Sequence, residues 1–364
     1  MNNLLLDSCL NHLQQLVAFD TCNPPKAYSA SGIIDYLLQQ FDLPEVEIKV
    51  SDHGNDSINI LVTKGDPKLL FNFHMDTVPV SDGWQSDPFQ LTVKEDKAYA
   101  LGACDIKGAA AAMLAVIERY HHSISDFALL FSSDEEHGNS SCIKNFLSEH
   151  HPYQGVIVAE PTQAKAVTAH RGIHTFKLSI AGKSGHSSEQ RALTENCIHQ
   201  FSHWSQKAIK LAESYLTQSY KGLSGICFNI GLIQGGIKPN IIADEVTANF
   251  GVRPLPGQDL NKLKQELSQL LTDKMSLSDG FSAPALPSKQ TAADNEKLAE
   301  QLQLPHSEPV NFWTEASLFH QAGYPSIVYG PGNIEQAHAP NEYVKLQQLH
   351  SVIENYHRIL SHAK

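Results

Sequence analysis

The chain has 364 residues, of which 41% are hydrophobic and 18% charged, a composition typical of globular proteins and long enough for one large domain or two moderate ones. With 27 Lys and Arg against 39 Asp and Glu it carries a formal net charge of −12, which argues against a nucleic-acid partner because phosphate neutralisation needs clustered basic residues. Its six cysteines lie far apart with no C-x-x-C pair, so neither a disulfide scaffold nor a cysteine zinc knuckle is expected.

The first residues, MNNLLLDSCLNHLQQLVAF, space their leucines and valine as an amphipathic helix and lack the basic start of a signal segment. No apolar run approaches the roughly 20 residues of a membrane span, so a cytoplasmic protein without a membrane partner is expected. KLLFNFH (68–74), FALLFSS (127–133) and GVIVAE (155–160) are short apolar runs of the buried-strand type, each ending in polar residues. Between them, DIKGAAAAMLAVIERYH (105–121) reads as an alanine-rich helix whose Gly108 and small residues allow close packing on a sheet. NSSCIKNFLSEHH reads as another, with Asn139 or Ser140 as its N-cap. This alternation predicts a layered α/β domain with a mainly parallel central sheet.

From about residue 172 the texture changes: HTFKLSIAGKSG, ICFNIGLIQGG and DEVTANFGVRPLPG read as antiparallel strands, interleaved with helical stretches near 194–218 and 258–274. The α/β texture returns with EASLFHQAG, PSIVYGPG and a final helix in KLQQLHSVIENYHRILSH. The expected organisation is a catalytic domain formed by 1–171 and 285–364, with an α+β domain of 172–284 inserted into it.

In open α/β sheets, ligand sites form at the carboxyl ends of strands. There, or in the loops that follow, stand His74 and Asp76, Asp105, Asp134 with Glu135 and Glu136, Glu160, and His338. Each alone reads as a helix cap or loop charge. Together, the carboxylates would repel one another unless a pair of divalent cations offset them. Nitrogen and oxygen donors without thiolate suit zinc, with cobalt or manganese as alternatives. Asp76 is placed to take the second ring N–H of His74 and so fix its tautomer. Glu135 and Glu136, being adjacent, cannot both point the same way, so one can bind metal while the other serves as a general base.

The runs FNFHMDTVP, LGACDIKGAAAAML, SSDEEHG, VAEPT, HRG followed by GKSGHSS, GGIKPNIIADEVTANFGVRP, FWTEASLF and QAHAPNEYV together resemble the dinuclear zinc aminoacylase and carboxypeptidase family, and within it the acetylornithine and acetylcitrulline deacetylase branch. The resemblance spans nearly the whole chain. It implies that His74 and Glu160 hold one metal, that Glu136 and His338 hold the other, and that Asp105 bridges them. Asp76 then orients His74, Glu135 is general base and acid, and the Asp105-Ile106 peptide is cis. The inserted domain becomes a lid that also dimerises, its His186 polarising the scissile carbonyl in its own or a partner's site, with Asn240 and Arg253 holding substrate. Arg253 suits a bidentate grip on an α-carboxylate.

The implied reaction is metal-assisted hydrolysis of an N-acyl amino acid. N-acetylornithine is the leading substrate and N-acetylcitrulline the alternative, either one in arginine biosynthesis; a desuccinylase or a broad N-acyl hydrolase are further options. A non-catalytic metal- or ligand-binding protein would need the ligands but not Glu135, and a serine hydrolase would need a G-x-S-x-G elbow, which is missing. Two departures from the family pattern stand out: no proline follows the Gly185-His186 pair, where the chain runs SSEQRALTEN, and TEA at 314–316 replaces Thr-Asp-Ala.

Overall fold

A six-stranded sheet organises the first of the two units into which the chain divides. The computed structural model describes residues 3–137, 139–288 and 293–362. One unit comprises Met1–Thr168, Thr291–Ser307 and Thr314–Lys364, the other Ala169–Gln290 and Glu308–Trp313. The six strands lie in the order Val46–Asp52, Ile58–Lys64, Phe127–Ser132, Leu69–His74, Gly155–Val158, Ser326–Val328. The last four in that order pair parallel, as the apolar runs predict, because strands covered on both faces need no polar side. The first two form an antiparallel hairpin on one edge. Its outer strand, VEIKVSD, alternates with water on one side, too polar a pattern to be read as a strand of a buried sheet.

Strand alternation decides which way the end of Leu69–His74 faces. Leu70, Asn72 and His74 share one face, Phe71 and Phe73 the other. On the second face Phe73 stacks on Phe131 at 5.4 Å, and Tyr356 of the closing helix Leu346–His362 meets Phe71 edge-on at 5.3 Å. His74 is thereby left at the carboxyl edge, away from this core. Helix Lys107–Tyr120 is buried from Lys107 to Ile117; from Gly108 onward its side chains are small or apolar, and the buried Lys107 donates its Nζ to Phe19 O at 3.0 Å. At Gly108 a Cβ would come within 2.3 Å of the Ala103 carbonyl oxygen, so the close packing at this glycine is against the turn that carries Asp105, where the sequence suggested a sheet.

The second unit is an antiparallel sheet in the order Cys227–Gly235, Glu245–Arg253, Ile173–Ala181, Met275–Ala283. Helices Cys197–Ser214 and Leu260–Ser268 cover one face, setting Trp204, Leu263 and Leu267 against Phe176, Leu178 and Phe250. Asp259 caps the second helix by accepting from the Asn261 and Lys262 N–H groups. The α+β character is the one expected for this stretch. Among the described residues no helix is long and apolar enough to cross a membrane.

Candidate metal centre and active site

Five segments deliver side chains to one point at the carboxyl edge of the parallel sheet. His74 ends its strand, Asp105 lies in the turn before helix Lys107–Tyr120, Glu136 follows strand Phe127–Ser132, and Glu160 follows Gly155–Val158. His338 comes from a late loop, in the left-handed conformation at φ 59°. Asp105 stands in the middle. Its Oδ1 lies 3.0 Å from His74 Nε2 and its Oδ2 3.5 Å from His338 Nε2. On the first side Glu160 Oε1 approaches His74 Nε2 to 3.6 Å; on the second, Glu136 Oε2 approaches His338 Nε2 to 3.1 Å. Donor atoms of His74, Asp105 and Glu136 all lie within 4.8 Å of one another. The Asp105-Ile106 peptide is cis.

The electrostatics of this cluster follow from how closely its carboxylates and imidazoles pack. Burial alone would lower the His74 pKa, yet bonding to Asp105 and Asp76 and the Glu160 charge push it well above the usual imidazole value. His338 is pushed up to about 11 by its bonds to Asp105 and Glu136. Burial would raise Asp105, but the two imidazoles hold it well below the carboxylate range. Glu160 is driven well up by burial and then by Asp105, and Glu136 is raised by the same two causes against the pull of His338. Glu135 is pushed up to about 8, first by burial, with Glu136, Asp105 and Asp76 adding to it and His74 opposing. The carboxylates outnumber the imidazoles, so protons must fill the deficit of positive charge. Two divalent cations would replace those protons, and the mixed imidazole and carboxylate donors suit them.

Around this cluster the structure adds groups that spacing alone did not reveal. The His74 ring Nδ1 lies 3.0 Å from the main-chain oxygen of Asp76 and 3.6 Å from its carboxylate, so the hydrogen-bonding partner is the Asp76 carbonyl, where the sequence suggested the side chain. The Asp76 carboxylate instead accepts the backbone N–H groups of Glu135 and Glu136, at 3.3 and 3.1 Å, and the Asn23 amide at 2.9 Å. Glu342, buried, accepts three backbone N–H groups, from Gly102 at 3.0 Å, Cys104 at 2.7 Å and Asp105 at 3.0 Å. It thereby fixes the turn that carries Asp105. Gly102 in that turn has φ 78°, and a Cβ there would meet Thr77 at 2.8 Å.

Asp134 serves a different purpose from its neighbours. Its carboxylate accepts the N–H groups of Ser141, at 2.8 Å, and Cys142, at 3.2 Å, and so caps helix Ser141–Phe146. Ser140, in the N-cap position, makes no side-chain capping bond, and the helix is shorter than NSSCIKNFLSEHH suggested. Glu315, from the TEA departure, is buried with Oε1 unbonded among the described residues. Burial raises its pKa well above normal, followed by the nearby Glu135 and Asp134 charges.

In the second unit His186 is exposed, its Nδ1 bonded to Ser188 Oγ at 2.7 Å. Asn240 is its backbone neighbour, accepting from Ser187 N at 3.1 Å. The loop that lacks the family proline is pinned by Arg191, which bonds Glu189 Oε2 at 2.7 Å and the Lys183 and Ser184 carbonyls at 2.9 Å each. Arg253 ends its strand at a cavity of about 320 Å³ on the sheet, beside Thr175, Asn229 and Asn249.

The model of peptidase family M20/M25/M40 matches residues 70–362. The chain belongs to this family. Among curated M20 relatives, the N-acetyl-L-citrulline deacetylase of Xanthomonas campestris pv. campestris is 43% identical over 365 residues, covering 98% of each chain. The acetylornithine deacetylase of Buchnera aphidicola is 30% identical, covering 92% of this chain and 91% of its own. That of Pasteurella multocida is 32% identical, covering 83% and 82%. Solved structures share the fold at lower identity. Aminopeptidase PepT from Bacillus cereus superposes with a TM-score of 0.77 at 18% identity, covering 98% of each chain. The M20 metallo-carboxypeptidase Sso-CP2 from Sulfolobus solfataricus gives 0.74 at 17%, covering 98% and 99%.

Proposed function

We propose that the chain hydrolyses the amide bond of an N-acetyl amino acid, releasing acetate and the free amino acid. The observation that carries this reading is Asp105, set between His74 with Glu160 and His338 with Glu136. His74 and Glu160 would hold one divalent cation, Glu136 and His338 the other, with Asp105 shared; zinc fits the donors first, cobalt or manganese next. When bound, such a pair polarises the acyl carbonyl and acidifies a water molecule. Glu135 takes the proton of the attacking water and returns it to the departing amine nitrogen.

His186 donates to the acyl oxygen as it gains charge, Arg253 grips the α-carboxylate and Asn240 lines the substrate. Residues 172–284 act as lid and dimerising domain. A homodimer is favoured by the edge strand Cys227–Gly235, which leaves Leu232 and Ile233 exposed, with Ile237 beyond it. Six free cysteines favour the cytoplasm.

Of the two leading substrates, identity favours N-acetylcitrulline, since the relative acting on it is 43% identical and those acting on acetylornithine about 30%. N-acetylornithine is the second reading, and either places the enzyme in arginine biosynthesis. Rates on N-acetylcitrulline, N-acetylornithine, N-acetylmethionine and succinyl-diaminopimelate test this. The highest kcat/KM is expected on N-acetylcitrulline; fastest turnover of the succinyl compound would sink the deacetylase reading.

A further inference from the structure

The run FDTCNPP at 19–25 lies outside every motif used so far, and its Asn23 is 2% exposed. Residues 21–23 lie alongside 75–77 as a short parallel bridge. Thr77 N donates to Thr21 O at 3.0 Å, Asn23 N to Thr77 O at 2.7 Å and Thr21 Oγ1 to Met75 O at 2.7 Å. Lys107 Nζ also donates to Phe19 O at 3.0 Å. These bonds anchor the segment without the Asn23 side chain.

The amide has one partner. Asn23 Nδ2 donates to Asp76 Oδ2 at 2.9 Å, while Oδ1, equally buried, has no hydrogen bond among the described residues. The orientation is chemically fixed, because an ionised carboxylate accepts only and must face the NH2. A buried carbonyl left unpaired is destabilising. An asparagine kept in such a place serves the one bond it does make. That bond ends on the carboxylate which receives the main-chain N–H groups of Glu135 and Glu136. Asp76 can align both only while its carboxylate plane stays fixed, and the amide is the side-chain donor that fixes it.

We propose that Asn23 is a positioning residue, locking the Asp76 carboxylate so that Glu135 and Glu136 are presented to the metal centre together. Its kinetic consequence rests on the hydrolase reading; its consequence for metal binding does not. The test compares the full-length protein with Asn23→Ala, the isosteric Asn23→Asp, Asp76→Asn and Asn23→Ala/Asp76→Asn. It reads kcat and KM on N-acetylcitrulline and N-acetylornithine, zinc affinity by chelator competition, and folding by circular dichroism.

Asn23→Ala should fold, lower kcat about 10- to 100-fold with KM within about twofold, and weaken zinc binding about tenfold. In the Asp76→Asn background it should add no more than about twofold. Asn23→Asp, which sets two carboxylates face to face, should lose at least as much. Wild-type kcat and zinc affinity in both Asn23 variants would overturn the proposal. So would fully additive losses in the double variant, or unfolding of both Asn23 variants, since the backbone bonds are held to anchor the segment. If the unmodified protein hydrolyses neither substrate, the hydrolase reading falls, and zinc affinity alone decides the role of Asn23.

Discussion

The two units handle polar groups in opposite ways. The first gathers His74, Asp76, Asp105 and Glu160, each no more than 5% exposed, at one sheet edge, where they shift one another's pKa values strongly. The second has an apolar core under its sheet and carries His186 and Asn240 in exposed loops. Buried, crowded carboxylates cost stability unless cations or hydrogen bonds answer them, and here Asp76 and Glu342 are answered by backbone N–H groups. Exposed groups carry no such cost and are free to meet a ligand. On the proposed reading, chemistry would belong to the sheet edge and recognition to the second unit.

Removing the proposed base is the sharpest way to probe the first region. Glu135→Ala should lower kcat by about 10³-fold, within the range for a positioned general base, while zinc content stays at the wild-type level; a variant of wild-type rate would remove Glu135 from the reaction.

The second region holds one buried titratable group with the opposite behaviour. Burial, followed by the Arg253 charge, lowers His170 from 6.5 to about 4 against its bond to the Arg171 carbonyl. Its folded pKa lies below its unfolded one, so its contribution to stability is complete above pH 6.5 and is lost as pH falls toward 4. Between pH 8 and pH 5 this amounts to about 2 kcal/mol. Urea midpoints at those two pH values should differ more in the wild-type protein than in His170→Gln, and equal differences would remove His170 as the cause.

The smallest effect is expected at Arg253, the residue proposed to grip the substrate. Arg253→Lys should raise KM about tenfold and leave kcat nearly unchanged, because a lysine cannot grip a carboxylate with two parallel bonds. A fall in kcat with constant KM would place Arg253 in the chemical step instead.

The parallel strands and the polar residues that end them were legible because a fully apolar run followed by His or Asp has few other uses. The edge hairpin Val46–Asp52 and Ile58–Lys64 was not, since a strand with one wet face looks like a loop of mixed character. Asp134 shows the limit of reading carboxylates one at a time. Placed after a strand it looks the same whether it binds metal or caps the next helix, and only the N–H groups of Ser141 and Cys142 decide. Glu342 lies 240 residues from the Gly102 N–H it accepts; a contact made through backbone at such a distance leaves no spacing to read. Asn23 was hidden because its side-chain bond to Asp76 spans 53 residues and leaves no local spacing to read. The division of labour among the ligands is only what the resemblance of the motifs implies, since composition and spacing assign none.

The most direct measurement of the central claim is a zinc titration of chelator-stripped protein, followed by calorimetry and by recovery of N-acetylcitrulline hydrolysis. Two ions per chain are predicted, with activity rising as they bind, and His338→Ala should bind one fewer while retaining the site of His74. Binding of no more than one ion by the wild-type protein, or full hydrolysis by the stripped protein, would contradict the account.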